Sequence, residues 1–120
     1  MNLNGIQIGS EDPEGLVAYY TRPFGEPGWA GGDFRGWQLG TGYVTVGPHD
    51  QVRGRNPQPG RLIWNLETPD VQGEFERLKA AGATVVHEPY QPDEDPDEGW
   101  IATFADPDDN YFQLVSPFPG

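Results

Sequence analysis

The chain has 120 residues, with 19 Asp and Glu against 7 Lys and Arg, a net charge of −12 and no Cys. That length suits one domain with a modest core. The acidity argues against nucleic acid and anionic membranes as partners, since both need basic patches, and the missing thiols remove disulfide and thiolate chemistry.

No apolar stretch approaches the ~20 residues of a membrane span. The opening Met1-Asn2-Leu3-Asn4 has neither the basic nor the apolar region of a signal peptide, so the expected location is cytoplasmic. Four Trp, five Tyr and six Phe must supply much of the buried area, and 17 Gly with 13 Pro mark many turns.

In chain order, Leu3 to Ile8 alternates apolar and polar residues, a strand with Ile6 and Ile8 on one face. Asp12, Pro13 and Glu14 read as a helix start: a cap, a proline at the first helical position, and an acid at the positive end. The helix should run from Pro13 to about Thr21, burying Leu16, Tyr19 and Tyr20. A short strand near Trp29 and paired strands over Phe34 to Leu39 and Tyr43 to Val46 follow, the pair joined by Gly40-Thr41-Gly42. Gly47 to Gly60 contains three Pro and reads as a long hinge between halves.

Leu62 to Leu66 is the next strand, with Leu62, Trp64 and Leu66 on one face. Thr68-Pro69-Asp70 repeats the cap–proline–acid chemistry. Val71, Phe75 and Leu78 then stand at helical spacing, with a stop at Ala81-Gly82. Val85-Val86 is a strand, Glu88 to Glu98 an acidic Pro-rich loop, and Trp100 to Ala105 and Tyr111 to Val115 are strands around the turn Asp106-Pro107-Asp108-Asp109-Asn110.

The two helix starts, beginning at Glu11 and Glu67, stand 56 residues apart. At that offset Ile6 meets Leu62, Ile8 meets Trp64 and Tyr19 meets Phe75, so the chain reads as an internal repeat. The expected fold class is α+β: two βαβββ modules forming a cup-shaped mixed sheet, with helices outside and the concave face free for a ligand. One domain spans residues 1–120, with a first module at about 1–47, the hinge at about 48–60 and a second module at about 61–120. Period two then sends Gly5 and Gln7, Tyr43 and Thr45, Arg61, Ile63 and Asn65, and Tyr111, Gln113 and Val115 to the concave face.

Phe75-Glu76-Arg77-Leu78-Lys79-Ala80-Ala81-Gly82-Ala83 and Ala102-Thr103-Phe104-Ala105-Asp106-Pro107-Asp108-Asp109-Asn110-Tyr111-Phe112-Gln113-Leu114 resemble the helix-to-strand signature and final hairpin of the vicinal-oxygen-chelate superfamily, which includes glyoxalases, extradiol dioxygenases and bleomycin-resistance proteins. Asp12-Pro13-Glu14 through Tyr19-Tyr20 matches more loosely. The hairpin is usually written with Gly where this chain has Asp109, a residue that tolerates φ > 0 better than most.

The resemblance implies a divalent metal held by His or Glu from the first and last strands of each module. Here those positions carry Gly5, a residue within Arg61 to Asn65, a residue within Tyr43 to Val46, and Gln113, with no His or acid among them. Divalent transition metals want imidazole, thiolate or carboxylate, so no metal ligand and no cofactor is assigned.

His49 and His87 read first as surface or turn histidines. His49, after Gly47-Pro48, is the better candidate for an acid–base or hydrogen-bonding role, because sequences resembling this subgroup often carry a His after such a turn. Catalytic residues are otherwise unassigned. The acidic run Asp93-Glu94-Asp95-Pro96-Asp97-Glu98 lacks the spacing and glycine of a calcium loop and reads as solvated. Trp64 is expected in the core, and Trp37 and Trp100 on the cup or a dimer seam, where aromatic walls suit flat, apolar or cationic ligands.

The expected function is metal-free binding of a small organic molecule, as in the bleomycin-resistance branch, with Gln7, Trp37, Thr45, His49, Asn65, Trp100 and Gln113 as ligand-binding residues. The alternatives are a lyase, isomerase or dioxygenase of the same superfamily with a non-standard or metal-independent site, and a regulatory module with a vestigial cup. A homodimer is expected, since half-cups in the resembled family often close against a partner chain.

Overall fold

Period-two alternation and two capped amphipathic stretches produce the same element order twice. The computed structural model describes residues 1–92 and 99–117. The first pass is β1 (Gly5–Ser10), α1 (Pro13–Phe24), β2 (Trp29–Gly31), β3 (Phe34–Leu39) and β4 (Gly42–Pro48). The second is β5 (Ile63–Glu67), α2 (Val71–Ala80), β6 (Thr84–Tyr90), β7 (Ile101–Ala105) and β8 (Tyr111–Val115), preceded by a 3-10 turn at Pro59–Arg61. The sheets are ordered β1-β4-β3-β2 and β5-β8-β7-β6, each with one parallel pair and two antiparallel pairs. This is the α+β class and the repeated βαβββ order expected from the sequence. The chain divides into two compact units, Met1–Arg55 and Asn56–Gly120. The acidic run at 93–98 lies outside the described residues.

In the first unit α1 packs on one side of its sheet. Ile8, Val44, Val46 and Trp37 are buried there against Leu16, Tyr19 and Tyr20. The Tyr20 ring stacks on Phe24 at 5.7 Å and meets Trp37 edge-on at 6.2 Å. Helix α1 runs three residues beyond the expected Thr21, through Pro23. The proline is tolerated in the last turn, and Gly25 N–H closes the helix on the Thr21 carbonyl at 2.8 Å. In the second unit Phe75 meets Phe104 at 5.4 Å, Phe104 meets Phe112 at 5.4 Å, and Trp64 stacks on Phe112 at 5.2 Å. Trp64 is thus a core-side residue, as expected.

Both helices start with one device. Asp12 accepts from Gly15 N–H at 3.2 Å and Asp70 from Gly73 N–H at 3.0 Å. Two residues upstream, the Ser10 hydroxyl accepts from Asp12 N–H at 3.0 Å and the Thr68 hydroxyl from Asp70 N–H at 3.1 Å. The cap of α2 is therefore Asp70 rather than Thr68, and the repeat runs from Asp12 to Asp70, 58 residues, not 56. The cap–proline signal misled because Pro69 stands before the cap here, whereas Pro13 stands after it. The corrected offset pairs Ile6 with Trp64, Ile8 with Leu66 and Gln7 with Asn65. Leu62 falls before the strand and is 82% exposed. In the strands an error of two residues leaves every side chain on its expected face, whereas an error of one would have inverted them all. In the helix it replaces the pairing of Tyr19 with Phe75 by one of Tyr20 with Leu78.

The second correction concerns β6, which runs from Thr84 to Tyr90 and not only over Val85-Val86. Its pairing with β7 slips between Val85 and His87 and again between His87 and Tyr90, so simple alternation fails there.

Candidate functional site

Each sheet has a second face that its helix does not cover. In the first sheet the register sets Gln7 opposite Thr45, Thr45 opposite Gly36, and Gly36 opposite Trp29, one row across four strands. In the second it sets Asn65 opposite Gln113, Gln113 opposite Thr103, and Thr103 opposite His87. Under the 58-residue repeat Gln7 corresponds to Asn65, and through the parallel pairs Thr45 corresponds to Gln113. Sequence reasoning thus named two residues of each row, and missed Trp29, Thr103 and the place of His87.

The first row is aromatic at its end. Trp29 is 52% exposed, and its indole lies so close over Gly31 and Gly36 that a Cβ at either would meet it, at 2.6 Å and 3.2 Å. The Phe34 ring likewise occupies the space a side chain at Gly47 would take. Glycine is required at these strand positions because rings lie flat on the backbone. His49 approaches the same face, with its Cβ 2.8 Å from where a Gly9 Cβ would stand. Its Nδ1 accepts from Gln51 N–H at 3.1 Å, so the neutral ring carries its proton on Nε2 and presents a donor, not a base.

The second row is polar throughout. Gln113 Nε2 donates to the Thr103 hydroxyl at 3.1 Å. Asn65 is exposed and Thr103 buried, with Ile63, Tyr111 and Ile101 around them on the same face. His87 Nδ1 stands 2.7 Å from the Glu88 carbonyl, and its ring centroid is 4.2 Å from that of Tyr90.

Trp37 does not belong to either row. It alternates with Gly36, faces α1, is 3% exposed, and donates from Nε1 to the Gly25 carbonyl at 2.8 Å. The expectation that it lines the ligand face is corrected: Phe34, Gly36 and Gln38 take that face. Trp100 sits just before β7, half-buried, its N–H bonded to the Ser116 hydroxyl at 2.9 Å, and in alternation with Ala102, away from the side of Thr103.

Among the described residues, no three His, Cys, Asp or Glu gather closely enough to hold a metal ion. On this face of the parallel pairs β1–β4 and β5–β8, the exposed Glu67 is a carboxylate at the end of β5, and the row positions carry the amides of Gln7, Asn65 and Gln113 and the hydroxyl of Thr45. Neutral oxygens of this kind do not fit a divalent transition ion. A separate hollow of about 560 Å³ lies at the start of α1, lined by Asp12, Pro13, Glu14, Val17, Ala18, Asp33, Arg35 and Pro48. It contains none of the expected site residues. Arg35 there is tied to the Gly32 and Phe34 carbonyls at 2.9 Å and 2.8 Å.

Residues 5–115 match the family model for a glyoxalase-like domain. The chain belongs to that family. No curated protein matches the sequence of this glyoxalase-like domain. Among solved structures it is similar to a glyoxalase-related enzyme from Fulvimarina pelagi, with a TM-score of 0.74 at 21% identity over 98% of this chain and 88% of that one. It is also similar to a glyoxalase/bleomycin resistance protein/dioxygenase family enzyme from Burkholderia phytofirmans PsJN, with a TM-score of 0.72 at 20% identity over 97% and 98%. A third similar structure is TioX from Micromonospora sp. ML1, with a TM-score of 0.69 at 19% identity over 97% and 98%. These likenesses establish the fold of the glyoxalase-like domain.

Proposed function

We propose that this glyoxalase-like protein binds a small organic molecule on the uncovered faces of its sheets without the help of a metal ion. The observation that carries this reading is the donor chemistry of the parallel strand pair in each sheet. Gln7 and Thr45 face each other across the parallel pair of the first sheet, Asn65 and Gln113 across that of the second, and all four are uncharged. Amides and hydroxyls there can bond a ligand's polar atoms directly, and the ring of Trp29 offers a flat apolar surface. The names of the similar structures, which include bleomycin resistance, agree with a binding role.

Two measurements test this. Elemental analysis of protein purified without chelator should find far less than one metal ion per chain, and stoichiometric Zn, Ni, Mn or Fe overturns the metal-free reading. A small-molecule screen by thermal shift should find stabilising ligands, because a ligand at about 100 times its Kd adds roughly 2.7 kcal/mol. A blank screen overturns the binding reading and favours a regulatory module.

A second reading, a superfamily lyase or dioxygenase with a non-standard site, has one observation in its favour. His87, unlike His49, has its Nδ1 against a carbonyl, which leaves the other nitrogen able to accept a proton. The protein's place in the cytoplasm and its assembly as a homodimer belong to the same proposal; the short edge strand β2 with exposed Trp29 suits a subunit contact.

A further inference from the structure

We propose that the uncovered face of the second sheet recognises a neutral molecule bearing a hydroxyl or N–H group, and that His87 is the hydrogen-bond acceptor for that group. The proposal rests on the small-molecule reading above and adds the ligand's chemistry to it.

Backbone irregularity makes the argument. His87 and Tyr90 are three residues apart, so in a regular strand they would face opposite ways. The pairing of β6 slips twice, and His87 and Tyr90 end opposite Thr103 and Ile101. Those partners are two apart on β7 and share one face. The irregularities therefore bring both rings to the face of Asn65 and Gln113, where their centroids approach to 4.2 Å. Bulges commonly re-aim side chains beside binding sites.

Hydrogen-bond bookkeeping gives the polarity. A carbonyl oxygen only accepts, so the 2.7 Å contact between His87 Nδ1 and the Glu88 carbonyl places a proton on Nδ1. Nε2 of the neutral ring is then a lone-pair acceptor on an exposed residue. In the next strand the Thr103 oxygen accepts from Gln113 at 3.1 Å, which leaves its hydroxyl hydrogen to donate. Gln113 Oε1 and the Asn65 amide continue the row at strand spacings of about 4.8 Å. A ligand lying across it meets acceptor, donor, acceptor and amide in turn. None of the four side chains carries a formal charge when the ring is neutral. An anion gains nothing there and is repelled by a chain of net charge −12. The four row positions offer a cation no carboxylate, and Glu67 on the same face stands outside them, at the end of β5. A neutral ligand is left.

A matched probe pair tests this by NMR titration: 2-naphthol, which donates a hydrogen bond, and 2-methoxynaphthalene, which does not. Wild type should bind 2-naphthol about tenfold more tightly, the effect of one well-made hydrogen bond. The preference should fall below about twofold in His87→Phe and return in part in His87→Gln, whose amide oxygen accepts. Long-range proton–nitrogen spectra should show the Nδ1–H tautomer, with Nε2 shifting on addition of 2-naphthol alone. An Nε2–H tautomer, a preference that survives in His87→Phe, or no binding of either probe overturns the proposal. Equal binding of both probes on this face removes the role of His87 but leaves small-molecule binding standing, whereas a blank thermal-shift screen removes the binding reading itself.

Discussion

Asp106 is 3% exposed, yet its carboxylate is the centre of the final hairpin turn. It accepts from the backbone N–H of Asp108 at 2.9 Å and of Asn110 at 3.0 Å, and from the Asn110 side chain. The turn closes with Asp106 N–H on the Asn110 carbonyl at 2.9 Å. Asp109 then adopts φ 63°, the left-handed conformation that the family's usual Gly takes freely and that Asp accepts at modest cost. Truncating Asp106 strands several donors together. Asp106→Ala should lose about 3 kcal/mol, since bonds to a charged acceptor are the strong ones. The check is a lower urea midpoint with an unchanged slope. A loss under about 1 kcal/mol would show that the turn holds without its carboxylate.

At the scale of elements, the helix starts make a prediction whose sign runs against habit. Gly→Ala within a helix ordinarily stabilises by about 0.5–1 kcal/mol. At Gly73 an added Cβ would stand 2.1 Å from the Asp70 carboxylate, and at Gly15 2.4 Å from that of Asp12. The carboxylate must swing away, and the cap bond, worth about 1 kcal/mol, goes with it. Gly73→Ala should therefore fail to stabilise, while Gly73→Ala in an Asp70→Ala background should recover the ordinary gain. A chemical-denaturation cycle with no coupling between the two sites would refute the account.

The same scale shows what the sequence revealed. Strand β8 and the cap at Asp12 were legible because alternation and cap chemistry are local, and β3 because the Gly40-Thr41-Gly42 turn follows it. The faces of Gln7, Thr45, Asn65 and Gln113 followed from period two alone. Three things were not legible. The cap at Asp70 was hidden by Pro69, which supplies the same residue types in a different order. Trp37 could not be placed because Phe34-Arg35-Gly36-Trp37-Gln38-Leu39 carries bulky residues on both parities; only the packing of Tyr20 decides between them. The role of β6 depends on two pairing slips, which arise between strands and leave no periodic trace in either.

On the scale of the whole molecule, charge governs association. Every chain carries −12, so two copies repel when the solution leaves their fields unscreened. The screening length falls from about 30 Å at 0.01 M salt to about 3 Å at 1 M. Sedimentation velocity should therefore find a homodimer whose share rises with NaCl across that range. A single species of 13.3 kDa at every salt concentration would sink the dimer.

The pairing slips in β6 have one more consequence. β6 is the last strand of its sheet, and a regular last strand offers a ladder of free N–H and C=O groups to any passing chain. The slips interrupt that ladder, and Pro89 removes one of its donors altogether. The distortion that turns His87 and Tyr90 toward the face of Asn65 and Gln113 also guards the sheet against growing by one strand more, which is how orderly edges begin to aggregate.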